Sequence, residues 1–357
     1  MVTVNKIYRD PVFGREYFSR KNSGSLPFPF QEKNLILFGF ARAALYEGLK
    51  ILGIKDGDAV LVPNYICNVV VAPMHSLNIK IKFYPVDLNL KPQWDIIEKA
   101  IDKNTKALLV VNYFGFPNDL TAARDFCKKH NLYMIEDNAH GFLSADKEKP
   151  LGSYGDISIF SFRKILPIPN GAGLLINNKL LLNRLPKITY LRKRNRTLRF
   201  MVNNLLISLR DALANTGLKE EDFEEGRIKD ISEEYNLPKY FIKFSRLSKF
   251  VINYINFDNI IVQRRNSYDG WLGYFAKEHT SGLKVVFPLL QANCVPFNFP
   301  VLIENQKGFL AGMCRKGIGC YPWPYLPESS NEDYLTPRLV CLPVFPFSKL
   351  NNFFKNG

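Results

Sequence analysis

Short apolar segments alternate with segments of helical periodicity through the first half of the chain. The apolar segments are 59–62, 107–111 and 132–135. Apolar side chains recur at helical spacing in 41–52, 68–77, 94–101 and 120–130. A strand without a polar face must be covered on both sides, and this is typical of parallel strands joined by crossover helices. The alternation predicts an α/β fold with a mostly parallel central sheet and helices on both faces.

The last third of the chain has a different pattern. One long helical segment is expected over 241–275, followed by short strands within 294–303. The N-terminal residues are polar and interrupted by Pro and Gly, so they are expected to form an arm. We therefore expect a large domain over residues 1–250, which includes this arm, and a smaller C-terminal α+β domain over residues 251–357.

Charged residues stand where predicted strands end, and ligands bind beyond the carboxyl ends of parallel strands. Glu136 and Asp137 close a buried apolar run. A carboxylate there is costly unless it meets a cation or hydrogen-bond donors. Two interpretations of Asp137 are equally open: it caps a helix, or it pairs with a cationic ligand such as a protonated pyridine ring. His140 could stack on such a ring, although a lone histidine more often belongs to the core or the surface.

A serine and a lysine follow the next strand-like segment, 155–160. Ser161 can donate a hydrogen bond to a phosphate, and the amine of Lys164 can bind an aldehyde as a Schiff base. Asp137 and Lys164 could thus hold the two ends of pyridoxal phosphate.

The helix that begins at Ala41-Arg42 could contribute to phosphate binding. Its first backbone N–H groups and the positive end of its dipole favour an anion. Small residues also begin helices that only pack tightly, so this feature alone leaves both interpretations open.

Five motifs occur in order along the chain. They are Ala-Arg-Ala-Ala-Leu (41–45), Gly-Asp-Ala-Val-Leu-Val-Pro (57–63), Val-Asn-Tyr-Phe-Gly-Phe-Pro (111–117), Glu-Asp-Asn-Ala-His (136–140) and Gly-Ser-Tyr-Gly-Asp-Ile-Ser-Ile-Phe-Ser-Phe (152–162). With their spacing, the chain resembles the DegT/DnrJ/StrS family of sugar aminotransferases from about residue 38 to residue 342. The resemblance implies a pyridoxal-phosphate-dependent aminotransferase of fold type I.

The resemblance also implies roles at the reacting end of the cofactor. Asp137 pairs with the pyridine nitrogen, and His140 lies near the ring hydroxyl. Lys164 forms the Schiff base and then moves a proton between two carbons. The family usually has its lysine five residues after the serine, where this chain has Leu166. We interpret the shorter spacing between Ser161 and Lys164 as a local deletion.

At the phosphate end, the resemblance implies that the amides of Ala41 and Arg42 and the hydroxyl of Ser161 hold the phosphate. Arg42 stands where the family usually has threonine. Asn195 is the expected equivalent of a residue that the partner subunit contributes.

The cover of the cofactor ring departs from the family pattern. Cys67 stands where the family has an aromatic residue. Tyr65 is expected to substitute for it.

The implied function is transfer of an amino group, with glutamate as the expected donor, to a keto sugar carried on a nucleotide diphosphate. The expected setting is surface-polysaccharide or secondary-metabolite biosynthesis, in a homodimer with a shared active site. Two alternatives remain open: a pyridoxal phosphate enzyme that acts on a non-sugar ketone, and a non-catalytic binding protein derived from this fold. The displaced lysine and the altered glycine segment 170–173 favour the second.

The net charge of +15 favours anionic partners. Six basic residues lie within 187–199, either as a solvated helix face or as a patch that meets phosphate or a membrane surface. No nucleic-acid recognition motif accompanies them. The four histidines lack metal-ligand spacing, so no metal site is expected. A cytoplasmic location is expected because the N-terminus lacks the apolar core of a signal peptide.

Overall fold

The structure is a computed structural model, and it describes residues 17–18, 25–185, 188–190, 200, 237–278, 280–322, 335–345 and 347–356. Nine strands lie in its first half. They are β1 (Leu35–Phe38), β2 (Ala59–Pro63), β3 (Lys80–Tyr84), β4 (Thr105–Val111), β5 (Tyr133–Asn138), β6 (Ala145–Asp146), β7 (Lys149–Pro150), β8 (Ile157–Phe160) and β9 (Ala172–Ile176). β6 and β7 form a small separate pair.

The other seven strands form a large sheet in the order β1-β9-β8-β5-β4-β2-β3. The pairs that link β3, β2, β4, β5 and β8 are parallel. β9 is antiparallel to both of its neighbours, β8 and β1. β1 therefore runs in the same direction as β8, and six of these seven strands end at one edge. The prediction of a mostly parallel sheet is confirmed.

Both faces of the large sheet are covered. β2, β8 and β9 are buried along their whole length, and successive side chains of a strand point to opposite faces. The helices of this part are α1 (Ala41–Ile51), α2 (Asn68–Ser76), α3 (Trp94–Lys99) and α4 (Leu120–Lys129). α1 packs against β8 and β9, where Gly48 allows close approach of Ile157 and Leu174.

The second part of the structure contains a four-stranded sheet in the order β10-β11-β13-β12, with all pairs antiparallel. Its elements in chain order are α5 (Arg246–Ile252), α6 (Phe257–Lys277), β10 (Lys284–Val285), β11 (Phe299–Leu302), α7 (Gln306–Arg315), β12 (Tyr321–Pro322), β13 (Leu339–Leu342) and α8 (Phe347–Asn356). The expected boundary between residues 250 and 251 falls inside α5, and the division of the chain into domains stays a prediction.

The expectation of one helix over 241–275 is wrong, because the structure has the two helices α5 and α6 there. Polar side chains cap both of them. The Ser245 hydroxyl accepts a hydrogen bond from Ser248 N at 3.0 Å, and Asn256 Oδ1 accepts one from Asn259 N at 3.0 Å. Each cap satisfies an N–H group that a continuous helix would bond internally, so the caps favour two separate helices.

Residues 291–297, which we call the connecting segment, bind the second part to the large sheet. Val295 N donates to Ser144 Oγ at 2.9 Å, and Phe297 N donates to Phe114 O at 2.7 Å. Phe114 has a φ of 55°, a left-handed conformation that is uncommon for a residue with a side chain. The carboxyl edge of the sheet and the connecting segment therefore share backbone hydrogen bonds.

Gly115→Ala is expected to lower the free energy of unfolding by at least about 2 kcal/mol. Gly115 has a φ of 92°, and a Cβ atom there would lie 2.3 Å from Val295 O, so the cost combines left-handed strain with a backbone clash. The matched control is Gly273→Ala in α6, where a Cβ would meet nothing within 4 Å. This control is expected to stabilise by about 0.5–1 kcal/mol. Urea unfolding of both variants measures the difference, and equal stability of the two would contradict the tight contact.

Candidate active site

Six residues singled out in the sequence line one cavity at the carboxyl edge of the large sheet. They are Ala41, Arg42, Asp137, His140, Ser161 and Lys164. The direction of the strands explains why they meet. α1 begins three residues after β1 ends, Asp137 lies near the end of β5, and Ser161 directly follows β8. All three strands run the same way, so these residues reach the same edge.

Glu136 and Asp137 have different surroundings although they are adjacent. Glu136 is fully buried and accepts hydrogen bonds from the backbone N–H groups of Gly152 (2.6 Å), Tyr154 (2.9 Å) and Gly155 (3.1 Å). It therefore fixes the loop that precedes β8. Asp137, on the opposite face of β5, lines the cavity.

The Asp137 carboxyl is 6% exposed and accepts a hydrogen bond from Ala139 N at 2.9 Å. Burial raises the pKa of this carboxyl, while that hydrogen bond acts in the opposite direction, as does a positive charge on Lys164 when its amine is protonated. A buried carboxylate of this kind is stabilised by a cation placed opposite it. The contact with Ala139 N is a local turn, so it leaves the cavity side of Asp137 as a place for a cationic ligand group.

His140 is held at both ring faces and at both nitrogens. Its ring stacks between Phe297 (centroids 4.4 Å apart, planes at 13°) and Phe114 (5.7 Å, 18°). Phe114 N donates to Nδ1 at 3.3 Å, and Nε2 lies 2.9 Å from Lys164 Nζ. An imidazole fixed in this way has little freedom to rotate.

These two contacts define how protons are shared between His140 and Lys164. Because Phe114 N–H donates to Nδ1, the proton of the neutral imidazole is on Nε2. With Lys164 in its neutral form, Nε2–H donates to Nζ, and the amine accepts through its lone pair. A lone pair on Nζ is what a nucleophilic amine requires.

The lysine that lines the cavity is Lys164, which stands two residues before the usual family position. Lys164 ends a short 3-10 turn, Phe162–Lys164, and lines the cavity. Leu166, at the usual family position, is fully buried in the apolar core. The short turn thus brings the amine to the cavity at the shorter spacing from Ser161.

Part of the cavity lining suits a phosphate. α1 begins at Ala41, and both Ala41 and Arg42 line the cavity, so the positive end of the helix dipole lies at it. Ser161 also lines the cavity and is 3% exposed. The guanidinium of Arg42 lies 3.7 Å from the centroid of the Tyr240 ring. Together with Asp137 and Lys164, which line the same cavity, this set of groups fits pyridoxal phosphate.

The expected cover of the cofactor ring by Tyr65 stays a prediction, and the structure places Tyr65 behind the cavity lining. Cys67 and Tyr113 line the cavity, whereas Tyr65 is not part of its lining. Tyr113 Oη donates to Tyr65 O at 2.5 Å, so Tyr65 contacts the cavity wall through Tyr113. The other predicted residue, Asn195, lies outside the described residues, as does most of the basic stretch 187–199.

Sequence reasoning missed several residues of the site. Tyr113 and Phe114 belong to the motif after β4, and Arg163, which lines the cavity, belongs to the serine–lysine motif, so their positions in these motifs were a usable signal. Phe297 lies 157 residues after His140, and nothing in the local sequence points to their contact.

Among the described residues, no helix combines the length and apolar character needed to cross a membrane.

Comparison with known families confirms the resemblance that the motifs predicted. Residues 31–198, a little under half of the chain, match the model of the DegT/DnrJ/EryC1/StrS aminotransferase family. This range includes α1, the first nine strands and every cavity residue predicted from the sequence.

Two curated relatives each match part of the chain. GDP-perosamine synthase from Vibrio cholerae is 33% identical over 141 residues, 38% of this chain and 37% of that protein. The dTDP-4-dehydro-2,3,6-trideoxy-D-glucose 4-aminotransferase of Saccharopolyspora spinosa is 29% identical over 161 residues, 44% of this chain and 42% of that protein. The chain thus matches less than half of the length of these relatives.

A solved structure resembles the whole chain. PseC of Helicobacter pylori, an aminotransferase involved in the biosynthesis of pseudoaminic acid, superposes with a TM-score of 0.65 at 17% identity. The superposition covers 98% of this chain and 97% of that protein. At this identity it establishes the fold alone, and it confirms the predicted fold type I class.

Replacement of the two adjacent carboxylates is expected to change stability in opposite directions. In the ligand-free protein at pH 7, Asp137→Asn raises the free energy of unfolding, because a buried charge is removed while the side-chain oxygen can still accept from Ala139 N. Glu136→Gln lowers it by about 1–3 kcal/mol, because an amide nitrogen then faces backbone N–H donors. Urea unfolding measures both.

The stability difference between Asp137→Asn and the wild type depends on pH. Its folded-state pKa lies above the unfolded value, so the stabilisation of the neutral carboxyl is present at low pH and is lost as pH rises through the folded-state pKa. The advantage of Asp137→Asn over the wild type therefore shrinks on acidification. An advantage that grows on acidification would contradict a raised pKa.

Proposed function

We propose that this chain is a pyridoxal-phosphate-dependent aminotransferase that transfers an amino group to a keto sugar carried on a nucleoside diphosphate. The observation that carries the proposal is the Lys164 amine, 2.9 Å from His140 Nε2, in the same cavity as the buried Asp137 carboxyl. The family match and the names of the two curated relatives support the reaction class and the nucleotide sugar.

Each part of the cavity has a task in this proposal. Bound pyridoxal phosphate supplies an aldehyde that captures amines and a protonated ring that accepts electrons when a neighbouring C–H bond breaks. Asp137 would keep the ring nitrogen protonated through its negative charge. The start of α1 and the Ser161 hydroxyl would hold the phosphate by hydrogen bonds and by the helix dipole.

Lys164 has two tasks, to hold the aldehyde and to move a proton. The neutral amine, which accepts from His140 Nε2–H, carries the lone pair that would bond to the aldehyde. The same nitrogen would also accept a proton from one carbon and deliver it to another. His140 keeps Nζ at a fixed place between these events.

The charges around the cavity favour anionic substrates. Arg42 and Arg163 line it together with the Asp137 carboxyl. Their guanidinium groups, with the net charge of +15, suit anionic groups, namely the cofactor phosphate and the diphosphate or carboxylate of a substrate. Both proposed substrates, the nucleotide sugar and glutamate, carry such groups.

We also propose that the active form is a homodimer, in which Asn195 of one copy completes the phosphate site of the other. Light scattering then gives twice the mass of the chain, and Asn195→Ala weakens cofactor retention on dialysis while leaving a dimer. A monomer that turns over normally would contradict this proposal.

The Lys164→Ala variant is expected to lose glutamate-dependent amination of keto nucleotide sugars by at least about 100-fold, because proton transfer by a placed side chain contributes about 100- to 10,000-fold. The purified wild type is expected to be yellow with bound cofactor and to change its visible spectrum with glutamate. The matched control is Lys128→Ala, because Lys128 is on the surface with a side chain 68% exposed.

Normal turnover in the Lys164→Ala variant would exclude this lysine as the acting amine. A colourless wild type that takes up no added cofactor would favour the non-catalytic binding protein. Turnover with simple ketones but not with nucleotide sugars would favour the non-sugar alternative. A panel of ketones tested with glutamate separates these results.

A further inference from the structure

Two phenyl rings from distant parts of the chain enclose the His140 imidazole. Phe114 belongs to the turn after β4, and Phe297 belongs to the connecting segment. The Phe297 ring is the nearer and more nearly parallel of the two, with centroids 4.4 Å apart and planes at 13°. Lys164 Nζ also lies 5.8 Å from the centroid of the Phe297 ring. Phe297 therefore contacts the same pair of groups that the proposed reaction uses.

A buried arginine holds Phe297 in this place. Arg264, on α6, is 3% exposed, and its Nη1 donates to the carbonyl oxygens of Pro296 (3.1 Å) and Phe297 (3.2 Å). From the other side, Phe297 N donates to Phe114 O at 2.7 Å. The backbone of Phe297 is thus fixed at both its carbonyl and its amide.

The Arg264 guanidinium has an unusual setting for a buried charge. Among the described residues no carboxylate oxygen lies within 4 Å of it, and Nε has no hydrogen-bond partner. Burial lowers the pKa of this group, although arginine stays charged in proteins. An unpaired buried charge is costly. The guanidinium contacts the two carbonyls of the connecting segment and the Phe345 ring, whose centroid lies 5.4 Å from the guanidinium carbon, so the charge is tied to the position of the connecting segment.

We propose that Arg264 and Phe297 are positioning residues, which hold the His140 ring so that Nε2–H is aimed at Lys164 Nζ. Arg264 fixes the backbone of Phe297, and the Phe297 ring then fixes the plane of the imidazole and keeps water from its face. The rotation that would take Nε2 away from Lys164 collides with a phenyl ring on either side. The catalytic meaning of this arrangement rests on the proposed aminotransferase function.

The first test reads the imidazole itself and needs no cofactor. In protein labelled with ¹⁵N-histidine, four histidines give signals, those of His75, His130, His140 and His279, and His140→Gln assigns the one of interest. Wild type is expected to show a neutral His140 with its proton on Nε2. In Phe297→Leu, water reaches the ring and favours its charged form, so the titration midpoint rises by about half a pH unit or more.

Matched variants separate positioning from packing. Phe297→Tyr keeps an aromatic ring, so its His140 titration midpoint is expected to lie close to that of wild type. Arg264→Met is expected to shift it in the same direction as Phe297→Leu. Phe299→Leu is the control, because Phe299 is also buried and lies two residues away, but its ring packs against Tyr268 and Phe275. It is expected to lower stability without moving the His140 midpoint.

The second test reads turnover. Phe297→Leu is expected to lower kcat by about tenfold or more, with little change in KM, and to move the acid limb of the pH–rate profile upward. The positioning proposal is overturned if Phe297→Leu leaves the His140 titration unchanged, or if Phe299→Leu moves it as far. Absence of turnover in wild type, with the titration shifts present, contradicts the proposed function and leaves the positioning role supported.

Discussion

The common direction of β1, β5 and β8 is the constraint on which the candidate site depends. Parallel pairing of β4, β5 and β8 sets Val111, Asp137 and Ile159 side by side, and all three line the cavity. The antiparallel β9 lies between β8 and β1, so β1 ends at the same edge and α1 begins there. A different strand order would separate the carboxylate, the amine and the helix start, even with the same residues present.

Buried charge explains why this edge favours a ligand. Asp137 is buried and its pKa is raised, so the ligand-free cavity holds a carboxyl in an unfavourable place. A cationic ring opposite Asp137 would offset that cost. Glu136 lacks this need because three backbone N–H groups already satisfy it. Two adjacent carboxylates thus divide between fixing a loop and receiving a ligand.

Residues close to a motif could be predicted from the sequence, and residues brought by tertiary contacts could not. The strand ends at Asp137 and Ser161 follow from apolar periodicity, and the cavity contains them. Which tyrosine faces the cavity depends on side-chain direction, which sequence spacing does not give. Tyr113 lines the cavity, whereas Tyr65 does not. The contact of Phe297 with His140 depends on how the connecting segment packs, so no local pattern encodes it. Two N-caps, Ser245 and Asn256, divide the expected helix over 241–275. Both residues are capping types, so the sequence itself contains this signal.

The central claim is that the displaced lysine supplies the amine of the site. Borohydride reduction of the cofactor-loaded protein, followed by peptide mass spectrometry, identifies the lysine to which the cofactor is attached. The account predicts attachment at Lys164, with loss of the modified peptide in Lys164→Ala. Attachment at a different lysine, or a loaded and yellow protein with no reducible attachment, would contradict it.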